Sequence, residues 1–239
     1  MRTRPRKAKP GPSAAHPVKA GEPLASRIAR AGRIAAGLAQ LYPQARISLD
    51  FKTPWQCLVA TILSAQCTDQ RVNQVTPALF REVPDIPTMA AIPIERLQHM
   101  IAATGFFRAK ARSLKGAART ILDRFGGEIP SRMEDLVTIP GIGRKTANVI
   151  LGHVFGRPGM VVDTHVRRLS RRMGLTRNTD PGKIEIDLQK LIAPADWTAF
   201  SMRLILHGRV VCVSRRPRCE GCAVAGDCPR IGVTPARPG

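Results

Sequence analysis

Two groups of residues in this 239-residue chain have the types and spacing to do chemistry, and the first is built on a glycine turn. In Leu136-Val137-Thr138-Ile139-Pro140-Gly141-Ile142-Gly143-Arg144-Lys145-Thr146-Ala147-Asn148, an apolar helix end runs into Pro-Gly-Ile-Gly and a new helix opens on Arg-Lys. Gly141 and Gly143 can take backbone angles closed to other residues. The chain can therefore reverse tightly and aim successive N–H groups outward at the N-terminus of the new helix. The pattern reads as a helix-hairpin-helix that grips a phosphate. Lys145 sits just inside the new helix, and Asp163 follows eighteen residues later, after that helix has ended. A lysine so placed can bind phosphate, and an aspartate before Thr164 can cap the next helix. The same two groups can also act as a catalytic amine and carboxylate.

The second group is a set of thiols. Cys212, Cys219, Cys222 and Cys228 are separated by six, two and five residues near the C-terminus. Four thiolates at this spacing can surround one metal centre, with Cys219 and Cys222 as the clip, and spacing leaves zinc and iron–sulfur both open. Disulfides are disfavoured, because a chain without a secretory signal and with a polyanionic partner belongs in a reducing compartment. Cys57 and Cys67 lie apart from the group and are read as core thiols.

The charge balance identifies that partner. Thirty-eight Lys and Arg against 17 Asp and Glu give a formal charge of +21 and a pI near 11.3. Such a charge attracts a polyanion and speeds encounter with it, so nucleic acid is the expected partner. The charge does not come from a tail alone: residues 1–20 carry six basic groups and no acid, which leaves +15 on the rest. Aromatic residues make up only 4%, which argues against a surface that binds mainly by stacking bases on rings. No run of about eighteen apolar residues is present, so no membrane span is expected. The N-terminus lacks the apolar segment of a secretory signal, and Pro5, Pro10, Pro12 and Pro17 would break the amphipathic helix of an organellar transit peptide. Residues 1–22 read instead as a disordered basic arm, and a cytoplasmic, nucleoid-associated protein is expected.

Helices must position these groups. Apolar residues recur at helical spacing from Leu24 to Leu41. Thr53-Pro54 offers an N-cap and first-turn proline for a helix through Leu63. A helix from Thr68 is expected to be divided or ended by Pro77. Further helices are expected over 93–103, 108–125, 144–155, 164–173, 181–192 and 195–210, closed in part by Gly105, Gly126 and Gly174. Ser131-Arg132-Met133-Glu134 has the spacing of a capping box before the Pro-Gly-Ile-Gly turn. Only Val161-Val162 and Val210-Val211 are strand candidates. The expected fold is all-α, about ten helices joined by short Pro/Gly turns.

Taken together, the hairpin with Lys145, the Val162-Asp163-Thr164-His165 that follows and the Cys-x6-Cys-x2-Cys-x5-Cys tail resemble the endonuclease III family, DNA glycosylases with apurinic/apyrimidinic lyase activity. Leu63-Ser64-Ala65-Gln66-Cys67-Thr68-Asp69, Thr104-Gly105-Phe106 and Leu204-Ile205-Leu206-His207-Gly208-Arg209 resemble stretches of the same family, and the likeness runs from about residue 24 to 230. The resemblance implies two helical domains flanking a DNA-binding cleft. One would be a six-helix barrel with the helix-hairpin-helix, over about 47–157. The other would be an iron–sulfur cluster domain of 23–46 plus 158–230, followed by a flexible tail at 231–239.

The resemblance also implies roles. Lys145 would be the nucleophile at C1′ of a damaged nucleotide. A lysine is protonated at neutral pH and must shed that proton first, an outcome favoured by the helix N-terminus and by the neighbouring cation of Arg144. Asp163 would accept the proton or stabilise the positive sugar that develops as the base departs. β-Elimination from the Schiff base would then break the strand on the 3′ side. Gln66 would fill the space left by the flipped nucleotide, and Phe106 would wedge into the stack where many relatives carry leucine. Gly141, Gly143, Arg144, Arg215, Arg216 and Arg218 would contact the backbone, and Cys212, Cys219, Cys222 and Cys228 would hold a [4Fe–4S] cluster. Some of Arg167, Arg168, Arg171 and Arg172 would pair with carboxylates, and His165 and His207 are read as structural. The expected substrate is double-stranded DNA with oxidised pyrimidines or abasic sites, handled by a monomer. A monofunctional glycosylase acting on uracil or mispaired adenine, or a non-catalytic DNA-binding iron–sulfur protein, are the alternatives.

Overall fold

The chain folds around two hydrophobic cores, each enclosed by helices whose starts are written into local capping chemistry. The structure, a computed structural model, describes residues 21–234. The expected arm at 1–22 lies outside the described residues except for Gly21 and Glu22, as does the expected tail beyond Thr234.

Eleven α-helices are present among the described residues, and no strand. They are α1 (Leu24–Leu41), α2 (Pro54–Leu63), α3 (Asp69–Glu82), α4 (Ile86–Ala91), α5 (Ile94–Ile101), α6 (Phe107–Phe125), α7 (Met133–Leu136), α8 (Arg144–His153), α9 (Thr164–Arg172), α10 (Pro181–Gln189) and α11 (Trp197–Val210). Thr53, Thr68, Asp85, Asp163 and Asp180 each accept a backbone N–H at a helix start. Each such cap contributes about 1 kcal/mol.

Three local expectations are corrected. Pro77 does not divide its helix but lies inside α3. Thr76 and Leu79 on either side of it are buried, and that packing offsets the one ladder bond a proline removes. Ser131 caps nothing: Arg132 occupies the N-cap position of α7 without a side-chain bond, and Glu134 pairs with Arg132 at 3.5 Å on the surface. Val161 and Val162 are buried but pair with no strand among the described residues. The Val161 N–H instead donates to Ser201 Oγ at 3.0 Å.

The first core gathers Leu58, Leu63, Val72, Leu79, Leu97, Leu114, Ile121, Leu136 and Ile150 from α2 to α8. The second gathers Ile34 and Leu38 of α1 with Val166, Leu169, Ile184, Leu188, Phe200 and Leu204. Cys57, Val149, Val161 and Met202 form a small apolar contact between them. Cys57 is fully buried, and burial pushes its thiol up to about 11, which fits a core thiol. No described helix is long and apolar enough to cross a membrane.

Two ion pairs also join the cores. Arg209 of α11 reaches Asp69 of α3 at 3.1 Å. Arg144, the first residue of α8, makes a two-pronged bond to Glu185 of α10, Nε to Oε2 at 2.7 Å and Nη2 to Oε1 at 2.9 Å. Glu185 is only 3% exposed, so its carboxylate depends on this partner and on Gln189 Nε2 at 3.3 Å. Replacing Arg144 with Met should therefore lower stability by about 1–3 kcal/mol. Adding Glu185→Gln should recover most of that loss, read as the midpoint of urea unfolding.

Candidate active site

The Pro-Gly-Ile-Gly turn is seated on the first core by its isoleucines. Ile139 and Ile142 are buried at 2% and 4% exposure, and the Ile142 N–H donates to Ile139 O at 3.0 Å. Gly141 has φ +82°, and a Cβ there would meet Ser113 Cβ of α6 at 2.7 Å, so both conformation and space demand glycine. Gly143 differs from the expectation. Its φ of −89° is open to any residue, and a Cβ on it would meet nothing within 4 Å. What glycine leaves at 143 is an open approach to the start of α8, where no side chain caps the first-turn N–H groups.

Lys145 projects from that first turn, exposed and without a hydrogen bond or ion pair among the described residues. Arg144 beside it is engaged by Glu185. The same Glu185 hydrogen bond is the main cause that raises Arg144 above the ordinary guanidinium value.

After α8 the chain turns back along it. The Arg157 N–H donates to Leu151 O at 2.9 Å, and Gly159 passes so close that a Cβ there would lie 2.3 Å from Asn148 O. Four residues further on, past the buried Val161 and Val162, the chain reaches Asp163 at the start of α9. Its Oδ1 accepts the Val166 N–H at 2.8 Å, which caps α9, and Oδ2 makes no bond among the described residues. Lys145 thus offers an exposed primary amine, and Asp163 a carboxylate oxygen with spare acceptor capacity.

Four exposed side chains stand on strained backbone, among them Arg216 and Arg230 of the cysteine-rich C-terminal part at φ 52° and 54°. Gln66, just after α2, has φ 52°, and Phe106, at the start of α6, has φ 49° and 66% exposure. Phe107, by contrast, packs on the first core. Non-glycine residues in this conformation cost about 1–3 kcal/mol each and are concentrated at functional sites.

The four cysteines line one cavity together with Arg172, His207, Pro217 and Arg218. No three His, Cys, Asp or Glu side chains among the described residues are grouped closely enough for a single metal ion. Four thiols around one cavity supply the donor set of a metal centre. Their surroundings supply donors: Arg172 Nη1 lies 3.4 Å from Cys212 Sγ, and His207 Nε2 lies 3.4 Å from Cys222 Sγ. Burial, and after it the other thiols, push Cys222 and Cys228 up in pKa, a penalty that bound metal would remove. His207 is fully buried with Nδ1 3.2 Å from Tyr42 Oη, and burial holds its pKa down.

The arginines of α9 divide in a way the sequence reading did not anticipate. Arg168 donates to Gly208 O at 2.9 Å and to Cys212 O at 3.0 Å, and Arg172 to Val213 O at 2.7 Å and Ser214 O at 2.8 Å. Their partners are carbonyls, not carboxylates. Arg167 and Arg171 instead face solvent, unpaired among the described residues, beside Thr164 in a groove of about 430 Å³ closed by Ile231 and Gly232. Arg215, Arg216 and Arg218 are exposed on the loop between Cys212 and Cys219. Spacing hinted at the Arg167 and Arg171 stripe, since both lie at four-residue steps from Asp163.

Known proteins share this scaffold. Residues 59–194 match the HhH-GPD superfamily base excision DNA repair protein family. Endonuclease III of Synechocystis sp. is 55% identical over 207 residues, covering 86% of this chain and 94% of its own length. Endonuclease III of Bacillus subtilis is 38% identical over 192 residues, covering 80% and 88%. Among solved structures, a non-covalent endonuclease III–DNA complex superposes with a TM-score of 0.81 at 35% identity over 85% of this chain and 95% of that one. A trapped endonuclease III–DNA covalent intermediate does so with a TM-score of 0.81 at 35% identity over 85% and 96%. The hairpin, the cysteine loop and these matches coincide on one helical scaffold, and the chain belongs to the endonuclease III family of the HhH-GPD superfamily.

Proposed function

We propose that Lys145 and Asp163 carry out base excision and strand cleavage on oxidised pyrimidines in duplex DNA. The enzyme is a bifunctional DNA glycosylase/AP lyase of base excision repair acting on damaged duplex DNA. The residue assignment is supported by the unpaired Lys145 amine at an uncapped helix start, and by an Asp163 carboxylate oxygen that the α9 cap leaves unused among the described residues.

The steps follow from those groups. Asp163 takes a proton from the Lys145 ammonium, and the freed lone pair bonds to C1′ while the glycosidic bond breaks toward the departing base. The positive charge that grows on the sugar faces the same carboxylate. Ring opening leaves an imine between Nζ and C1′. Loss of a C2′ proton then expels the 3′ phosphate, which cuts the strand. Before this, the nucleotide must leave the stack. Exposed Gln66 and Phe106 supply the filler and the wedge. The bare first turn of α8, opened by Gly141 and Gly143, receives a backbone phosphate. Arg144 serves here less as a phosphate ligand than as the tie of α8 to Glu185.

Cys212, Cys219, Cys222 and Cys228 would hold the [4Fe–4S] cluster that the family implies, and the bound group would supply a rigid anchor for the loop carrying Arg215, Arg216 and Arg218. The two cores correspond on this reading to the barrel domain at 47–157 and the cluster domain at 23–46 plus 158–230.

Borohydride trapping on duplex DNA with an abasic site tests the nucleophile. Wild-type protein should be captured as a covalent adduct, and Lys145→Ala should lose about 10³-fold or more of the rate. Trapping of that variant at the wild-type level would refute the assignment. Asp163→Asn keeps a good N-cap, so its thermal midpoint should barely move while the excision rate falls about 10²–10⁴-fold. An Asn variant of normal activity would reduce Asp163 to a cap. The basic surface has a separate measure: replacing Arg167 and Arg171 together with Ala should flatten the slope of log binding constant against log salt by about 1.8, roughly 0.9 for each lost phosphate contact. An unchanged slope would place both outside the DNA track. Finally, purified protein should be brown with broad visible absorption, and Cys219→Ser should bleach it.

A further inference from the structure

Among the described lysines and arginines only Lys110 is buried, at 4% exposure. It lies one turn into α6, where its own N–H donates to Phe106 O at 3.1 Å. Its Nζ donates to Leu63 O at 2.8 Å and to Thr104 O at 2.8 Å. These two carbonyls belong to loops far apart in sequence. Leu63 is the last residue of α2, three residues before Gln66, and Thr104 stands two residues before Phe106. One ammonium group therefore spans the roots of both strained loops.

A buried cation is an expensive fastener. Desolvation pushes the Lys110 ammonium below the ordinary lysine range, and no carboxylate contact offsets it. A neutral donor could satisfy either carbonyl alone. A three-donor group at the end of a flexible stem can satisfy two at once from within one helix. Leu63 O is moreover one of the carbonyls left over at the end of α2, so the bond also closes that helix end.

We propose that Lys110 is a positioning residue that locks the Gln66 and Phe106 loops together, so that filler and wedge enter the DNA stack as one rigid unit. The inference rests on the insertion roles given above to Gln66 and Phe106. Lys110 touches neither the DNA nor the reacting atoms; it sets the distance between two side chains that must act at the same base step.

The test compares Lys110→Met with wild type on two abasic-site duplexes. In one, the strand opposite is intact. In the other, the opposite strand lacks the nucleotides facing the site, so nothing needs filling or wedging. On the intact duplex the single-turnover trapping rate should fall about 10–100-fold, the size expected from losing two charge-assisted hydrogen bonds. A 2-aminopurine placed opposite the site should lose its unstacking signal in parallel. On the gapped duplex the rate should stay within about threefold of wild type, because the chemistry itself is untouched. Equal losses on both duplexes, or no loss on either, would overturn the proposal. If the methionine variant does not fold, Lys110→Gln, which reaches only one carbonyl, is held to the same comparison. The double variant Gln66→Ala/Phe106→Ala separates the two layers of the argument. Wild-type behaviour of that variant on both duplexes would sink the insertion roles themselves, whereas its selective loss alongside normal Lys110 variants would sink only the role of Lys110.

Discussion

Glu185 is nearly sealed from solvent, and a carboxylate in that position is stable only while a cation meets it. The cation comes from Arg144, which also begins the helix that presents Lys145. A single two-pronged bond thus fixes how the first turn of α8 sits against α10, and with it how the amine faces the body that supplies Asp163. The Arg209–Asp69 pair repeats the device elsewhere along the junction, between α11 and the start of α3. Ion pairs exposed on a surface contribute little. The Glu185 pair differs because its acid is buried, so breaking it strands a charge. An apolar cluster around Cys57 and Val161 also lies between the cores, and the polar bonds add direction to that contact.

The same economy appears on α9. One nine-residue helix carries the capping aspartate at its start and, one and two turns further, the arginines that hold the carbonyls of the cysteine loop. Any centre that rigidifies this loop therefore also steadies the helix on which Asp163 is mounted. On its solvent side the helix presents Arg167 and Arg171 in line with that aspartate. Carbonyl-bound and solvent-facing arginines alternate among these four, and only the partner atoms distinguish them.

How much of this was legible in the sequence depends on how far apart the partners lie. Helices 24–41, 54–63, 164–172 and 181–189 were readable because their periodicity or their caps, Thr53, Asp163 and Asp180, are adjacent in the chain. The short α4 was missed, since six residues cannot display a period, although Asp85 before Ile86-Pro87 marks its start. Pro77 and Ser131 misled because local propensity was overruled by packing in one case and by exposure in the other. Lys145, Asp163 and the cysteines stood out as contiguous motifs. Glu185 and Lys110 did not, because what gives each its role lies 41 and 47 residues away, and a lone Glu or Lys in a helix ordinarily reads as a solvated face.

The loops at Gln66 and Phe106 show where local consistency was given up. Glycine would adopt either left-handed conformation without penalty, and asparagine with little. The chain instead places a glutamine and a phenylalanine there, leaves both exposed, and buries a lysine to hold their roots. Each of these choices opposes folding stability: strained backbone, an apolar ring in water and a desolvated cation. Among the described residues Phe106 belongs to no core cluster and Gln66 makes no side-chain hydrogen bond. On the insertion roles proposed above, the compensating interactions come from the DNA, which presents an apolar stack to the ring and unpaired hydrogen-bonding edges to the amide. Duplex DNA opened at one base pair offers both at adjacent positions, and the spacing between them is set by the double helix. A protein that has to match a fixed external spacing gains from tying its two probes to each other rather than to separate parts of its own core.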